Sequence, residues 1–485
     1  MLATTLAALS AIAIVTQDQS ALRAAPRDSA LQHAVLWQGD SLEIRGEKGD
    51  YLQVYDHRRE RAGYVRASQV RRQSLKPEAA PELLTVARFL RDTPGSEALG
   101  IAYAAAYLKA APAAVIDGEV FDALGAMAER LARRASTRQR KSASPGAAST
   151  VAAQIEVAAT YGVSMQSFER EGRIQLCYDG EAHRRVLAMP STEVQKANAA
   201  LALTRHDCVA PTLTPVERFA VDRWRADILD RVGLRELPVV LKNRLYLRKA
   251  GVWASLAYQR ARRPELGDAA VLAAGQRALD ELASVNKSEL AEADAAIYND
   301  AAIRVGASRW AAEPVPAAGA SKASGTLSVR ITAGSQPGER CVNLVDAKHD
   351  QSKPLLTRCT FAIVWEASAR VSHRQDALAL AVQPLDSWRE MWVFQQGADG
   401  WQVDVLPPAT DNPTLGYIEF AGWVPGKPQL LAAREARVDG RYRQSFEILR
   451  LGSLQVEKRA DKPDSLSLFH RWRDPQWKGQ TVSLR

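Results

Sequence analysis

The sequence predicts a multidomain α+β protein. A small all-β domain comes first, then a mostly helical centre with a small β insertion, then an antiparallel β domain of sandwich or propeller-like form. Three observations carry this. The chain has 485 residues, more than the roughly 250–300 that one core sustains. Short runs alternating apolar and polar residues appear near the N-terminus and again beyond residue 326, the period of half-buried strands. Between them the chain is rich in Ala, Leu and Arg in amphipathic helical patterns. With 46% hydrophobic and 25% charged residues, each domain has enough apolar surface to bury a core.

Residues 1–16, MLATTLAALSAIAIVT, form an apolar block without charge. Its length suits the core of a signal peptide better than a membrane span, which needs about 20 residues. Ala11-Ile12-Ala13 offers small residues for cleavage, although the basic stretch that usually opens a leader is missing. The alternative is an ordinary buried N-terminal helix. A leader predicts a periplasmic or secreted chain with no integral membrane span. The four cysteines agree with that compartment. Cys177 with Cys208 and Cys341 with Cys359 is the economical pairing of the three possible, because each pair brackets one strand-rich segment. Each bridge would contribute about 3 kcal/mol by restricting the unfolded chain.

Residues 22–72 contain five short strand-like runs. Trp37-Gln38-Gly39-Asp40 makes a turn, Leu42-Glu43-Ile44-Arg45 alternates, Gly49-Asp50 precedes Tyr51-Leu52-Gln53-Val54, and residues 56–61 form a charged hairpin loop. Leu36, Leu42, Ile44, Leu52, Val54 and Val65 can fill a small core. Gly63-Tyr64-Val65 resembles the Gly-aromatic-Val signature that closes bacterial SH3 (SH3b) repeats, and the segment as a whole resembles that family. The resemblance implies a small β-barrel used in the bacterial envelope to bind cell wall or peptides. It points to a groove lined by Trp37, Tyr51, Tyr55 and Tyr64, with His57 and Arg58 at the rim; Trp37 and Tyr51 could equally be wall residues of the core. The acidic, tyrosine-rich loop of eukaryotic SH3 domains has no counterpart, so binding of Pro-rich helices is not implied.

A polar linker leads into the helical domain, residues 82–310. Helices are expected over residues 82–90, 97–109, 120–134, 192–204, 215–232, 237–249 and 268–282, with strands around 162–165 and 172–180. The basic, polar residues 136–149 read as a disordered loop. Residues 311–325, rich in Ala, Pro, Gly and Ser, read as a linker. Beyond it, residues 326–485 carry eight strand-like runs, with hairpin turns at Asp399-Gly400 and Asp439-Gly440. Residues 360–406 and 416–458 each resemble one propeller blade. The tryptophans here suit a core, and the closing run from Phe469 to Pro475 could pack back or serve as an interaction tail.

No motif names a reaction. Asp207-Cys208 superficially resembles the catalytic dipeptide of NlpC/P60 cell-wall peptidases, but Val209-Ala210-Pro211 follows where that family has Ser-Gly. Ser284 and Lys287 have S-x-x-K spacing without its companion motifs. The seven histidines show no metal-ligand spacing, and there is no P-loop or G-x-G-x-x-G, so no metal or cofactor is expected. The net charge of +9 favours anionic surfaces, but no zinc finger, helix-turn-helix or RNP-like pattern points to nucleic acid. The expectation is a non-enzymatic binding or scaffold protein, tethered through the first domain to peptidoglycan or an envelope protein. A cell-wall hydrolase, or a regulator of one, with an unfamiliar active site is the alternative.

Overall fold

The computed structural model describes residues 11–138, 145–170, 173–314, 327–410, 415–438, 440–475 and 477. The chain forms two compact units. One comprises the chain up to residue 213 with residues 231–236; the other comprises residues 214–230 and the chain from 237 onward. The expected helical domain over residues 82–310 is therefore divided: its first half folds with the N-terminal sheet and its second half with the C-terminal strands.

In the first unit, seven strands form one antiparallel sheet. They are β1 (Ala11–Val15), β2 (Ser20–Arg23), β3 (Gln32–Leu36), β4 (Ser41–Lys48), β5 (Tyr51–Asp56), β6 (Arg61–Arg66) and β7 (Val70–Ser74), in the order β3-β2-β6-β5-β4-β1-β7. Alternation sends Leu42, Leu52, Val54 and Val65 to one face, where they meet Ala13, Val15, Leu22 and Leu36. The sheet thus begins before residue 22. β1 lies between β4 and β7 and is covered on both sides. Ala13 and Val15 enter the sheet core, while Ile12 and Ile14 join a helical core with Leu83 and Ile101. A strand buried on both faces reads as an unbroken apolar run, as a leader does. Residues 11–15 of the expected leader form this strand, and residues 1–10 lie outside the described residues.

Helices α1 (Ala80–Arg91), α2 (Glu97–Ala110) and α3 (Gly118–Arg138) start within two residues of the expected positions. α3 continues to Arg138 and α4 (Pro145–Ala159) follows, so helix replaces both ends of the expected loop at 136–149; residues 139–144 lie outside the described residues. The ends are anchored: the Ser136 hydroxyl donates to Ala132 O and accepts from Leu176 N at 2.8 Å. A hairpin of β8 (Met165–Arg170) and β9 (Arg173–Tyr178) is the β insertion, followed by α5 (Glu181–Ala188) and α6 (Glu193–Leu203). Thr192 and Gln195 cap α6 reciprocally. Cys177 on β9 is bridged to Cys208 in the turn after α6, with Cα atoms 5.8 Å apart.

The second unit opens with α7 (Pro215–Asp230), α8 (Val239–Ala261), α9 (Asp268–Ala283) and α10 (Ala295–Ser308); α8, α9 and α10 share a core that includes Leu247, Ala254, Leu282 and Val305. Trp310 and Ala311 are buried, so the start of the expected linker at 311–325 belongs to the fold; residues 315–326 lie outside the described residues. Two sheets follow. β10 (Ser328–Ala333), β11 (Arg340–Val345) and β12 (Leu356–Thr360) form the smaller, with Cys341 and Cys359 bridged directly across the β11–β12 register. The larger contains β13 (Ile363–Val371), β14 (Ala377–Leu385), β15 (Trp388–Gly397), β16 (Gly400–Leu406), β17 (Gly416–Trp423), β18 (Gln429–Val438), β19 (Arg441–Arg450) and β20 (Val456–Ala460). It runs β13-β14-β15-β17-β18-β19-β20, with β16 paired to β15, and is antiparallel except for the short β15–β17 contact. The two stretches that resemble propeller blades are thus halves of one continuous sheet. Val329, Val342 and Leu344 of the small sheet share a core with Leu378, Leu380 and Phe394 of the large one. Helix α11 (Ser467–Trp472) covers the far end: Phe469 and Trp477 pack on Phe446, so the closing run folds back on the sheet.

Candidate functional site

Strand geometry decides which of the six candidate residues can act together. On β5, Leu52, Val54 and Asp56 face inward, which turns Tyr51, Gln53 and Tyr55 outward. Tyr64 on β6 lies opposite Gln53, and Arg66 opposite Tyr51, so they share that outer face. Two aromatic clusters result. In one, the Arg45 guanidinium lies 4.0 Å from the centre of the Tyr55 ring, and His57 meets the same ring edge-on with centroids 4.9 Å apart. Glu43 joins them, accepting from Arg45 Nε and Nη2 at 3.3 Å and standing 2.7 Å from His57 Nε2. In the other, Arg66 lies 5.4 Å from the Tyr51 ring centre, and both residues donate to Asp28. Those bonds, from Arg66 first and then Tyr51, pull the Asp28 carboxyl down to about 2. Arg45 holds the Glu43 carboxyl below its ordinary value in the same way. In each cluster Nε and Nη2 of the arginine bind the carboxylate, and Nη1 has no partner among the described residues.

The other two candidates lie elsewhere. Trp37 is in the turn whose Asp40 side chain accepts from its backbone N–H at 2.9 Å. That turn is a structural joint. Gly39, at φ +92°, brings its carbonyl within 2.6 Å of the Tyr161 hydroxyl, and a side chain there would collide with Ala98 of α2. Arg58 turns toward the same joint, 3.7 Å from the buried Asp40 and 2.8 Å from Glu156 of α4. Its guanidinium is thus engaged by carboxylates of the same unit. Tyr51, only 6% exposed, lies beneath Arg66 as wall rather than open surface.

The reactive-looking dipeptides dissolve in the structure. Cys208 is in a disulfide, and Asp207 accepts from Arg205 and from Gln175 at 2.6 Å. Ser284 ends α9 with its hydroxyl donating to Asp280 O, while Lys287 lies over Tyr298. No cluster of metal-ligating side chains occurs among the described residues. No described helix is long and apolar enough to cross a membrane.

Two adjoining cavities, of about 540 and 520 Å³, escaped the sequence reading. They lie in the second unit between the end of α8, the small sheet and edge strand β13, and they meet at Ile331, Arg340 and Ile363. Their residues come from segments up to about a hundred positions apart, so no local motif announces them. Only the exposed aromatic Phe361 is a local hint. No protein-family model, curated protein or solved structure matches the chain.

Proposed function

We propose that this is a binding or scaffold protein of the bacterial envelope, held to peptidoglycan or an envelope protein by the outer face of its first sheet. In this reading the N-terminal strands are an SH3b-like barrel, and the chain works in the periplasm or outside the cell. The observation that carries it is the pair of arginine-on-tyrosine clusters. Stacked rings and guanidiniums present rigid contact area, and each free Nη1 edge suits a carboxylate such as those of peptide stems. The two disulfides support an oxidising compartment.

The test is co-sedimentation of the purified full chain with isolated peptidoglycan, with an immobilised envelope extract in parallel. Deleting the sheet would unfold the first unit, so substitutions are the right probe. Tyr55→Ala with Arg45→Ala is expected to reduce retention at least fivefold on one of the two supports. Retention unchanged on both would refute the assignment of this face. Release of soluble cell-wall fragments would favour the hydrolase reading instead.

A further inference from the structure

The twin cavity of the second unit holds a charge that the fold leaves unanswered. Arg340, at the start of β11, is partly buried and lines both halves. No described residue hydrogen-bonds or ion-pairs with its guanidinium, although four carboxylates lie along the groove. Glu366 stands 3.6 Å from Arg330. Glu339 clamps its own loop, accepting from Ser335 N and Oγ and from Gln336 N. Glu313 is engaged elsewhere, and Asp268 is exposed at the first turn of α9. The neighbouring arginines are occupied: Arg260 donates to Ala270 O, Arg262 to the Tyr258 hydroxyl, Arg263 to Gln259 O and Pro215 O. Beside Arg340 the walls are apolar, formed by Ile331, Ile363, Trp365 and Leu272, with Phe361 half exposed at the mouth.

We propose that this groove binds an amphipathic anion: one carboxylate or phosphate head, taken by Arg340, on an apolar body lying along those walls. A guanidinium drawn partly out of water gains most from a charged acceptor, and each cavity is of the size small-molecule sites have. The competing explanation is an arginine that merely lays its stem over apolar surface, which predicts no dependence on the ligand's charge. The proposal rests on the second unit alone, so failure of the cell-wall assignment leaves it standing.

Trp365 lines the groove and reports occupancy by fluorescence. The purified full chain is titrated with dodecanoate and dodecyl phosphate below their micelle concentrations, beside dodecyltrimethylammonium and dodecanol. Saturable binding of the anions, at least tenfold tighter than of the cation or the alcohol, is expected. Arg340→Gln should weaken anion binding about tenfold or more, the size of one charge-assisted bond. Phe361→Ala, at an exposed position, should weaken it independently and guards against a folding defect in the first variant. Vesicles of phosphatidylglycerol against phosphatidylcholine separate the sources. Arg340-dependent binding of free amphiphile supports a soluble ligand, and Arg340-dependent binding to anionic vesicles alone supports a lipid headgroup. Equal binding of anion and cation, no saturable binding to amphiphile or vesicle, or an Arg340→Gln chain that binds as before would overturn it.

Discussion

Arg389 on β15 is fully buried, and none of its three guanidinium nitrogens has a hydrogen-bond partner among the described residues. Its nearest counter-charge is Glu419 on β17, 3.8 Å away, which also binds Arg309. The Tyr417 ring lies 5.1 Å from it. Burial pulls the Arg389 guanidinium down to about 10, with Glu419 resisting. Two buried cations thus meet at this carboxylate. Glu419→Ala should cost about 3–5 kcal/mol, since it takes from the buried Arg389 its nearest counter-charge. Arg389→Met should be neutral or stabilising, since it removes the charge that is least compensated. Urea midpoints of the two variants check this, and a large loss from Arg389→Met would refute it. No pattern in the sequence ties Arg309, Arg389 and Glu419, which meet only when α10 lies on the large sheet. The outward tyrosines of β5 were legible because a strand's alternation is local. Arg58 was not, because its partners Asp40 and Glu156 come from distant segments.

At the scale of elements, helices with breaks at Pro and Gly could be read from the chain, since those residues act locally. β1 could not. Its apolar letters fit a leader, a buried helix or a doubly covered strand, and only the positions of α1 and α2 decide among them. Ile12, Ile14 and Val15 each bury about 1.5–3 kcal/mol of apolar side chain, against a typical domain stability of about 5–15 kcal/mol. A chain that starts at Gln17 should therefore lose the folded first unit and become protease-sensitive up to about residue 213, while the second unit survives. Limited proteolysis read by mass spectrometry checks this, and equal protection of both chains would contradict the placement of β1.

Across the whole molecule, composition does not reveal where one unit ends, because α7–α10 carry the same Ala-rich pattern as α1–α6. Only packing assigns α10 to the large sheet, through Ile303 and Ala307 against Leu415 and Tyr417. With separate cores, the two units should respond separately to acid. Burial in the first unit pushes the Glu129 carboxyl up, but His183, Arg133 and Arg205 around it more than offset this and hold it well below its ordinary value of 4.5. The unfolded chain then takes up a proton that the folded unit refuses. Stability from this group is complete above pH 4.5 and declines as the pH falls below it. Asp40 and Asp122, raised chiefly by burial, act in the opposite sense. Glu129→Gln should lower the stability of the first unit near neutrality and flatten its decline below about pH 4.5, leaving the second unit unchanged. Calorimetry between pH 3 and 7 measures both; an acid limb as steep as in the parent would exclude Glu129 as its source.

The double burial of β1 also fixes an order of events during synthesis. This strand leaves the ribosome ahead of the elements that cover it: β4 ends at Lys48, β7 at Ser74 and α2 at Ala110. At about 5–20 residues per second, the interval between β1 and the end of α2 is about 5–20 seconds. For that time an apolar segment waits without the strands and helix that bury it. The segment that completes the first unit is thus also the one left longest without its partners.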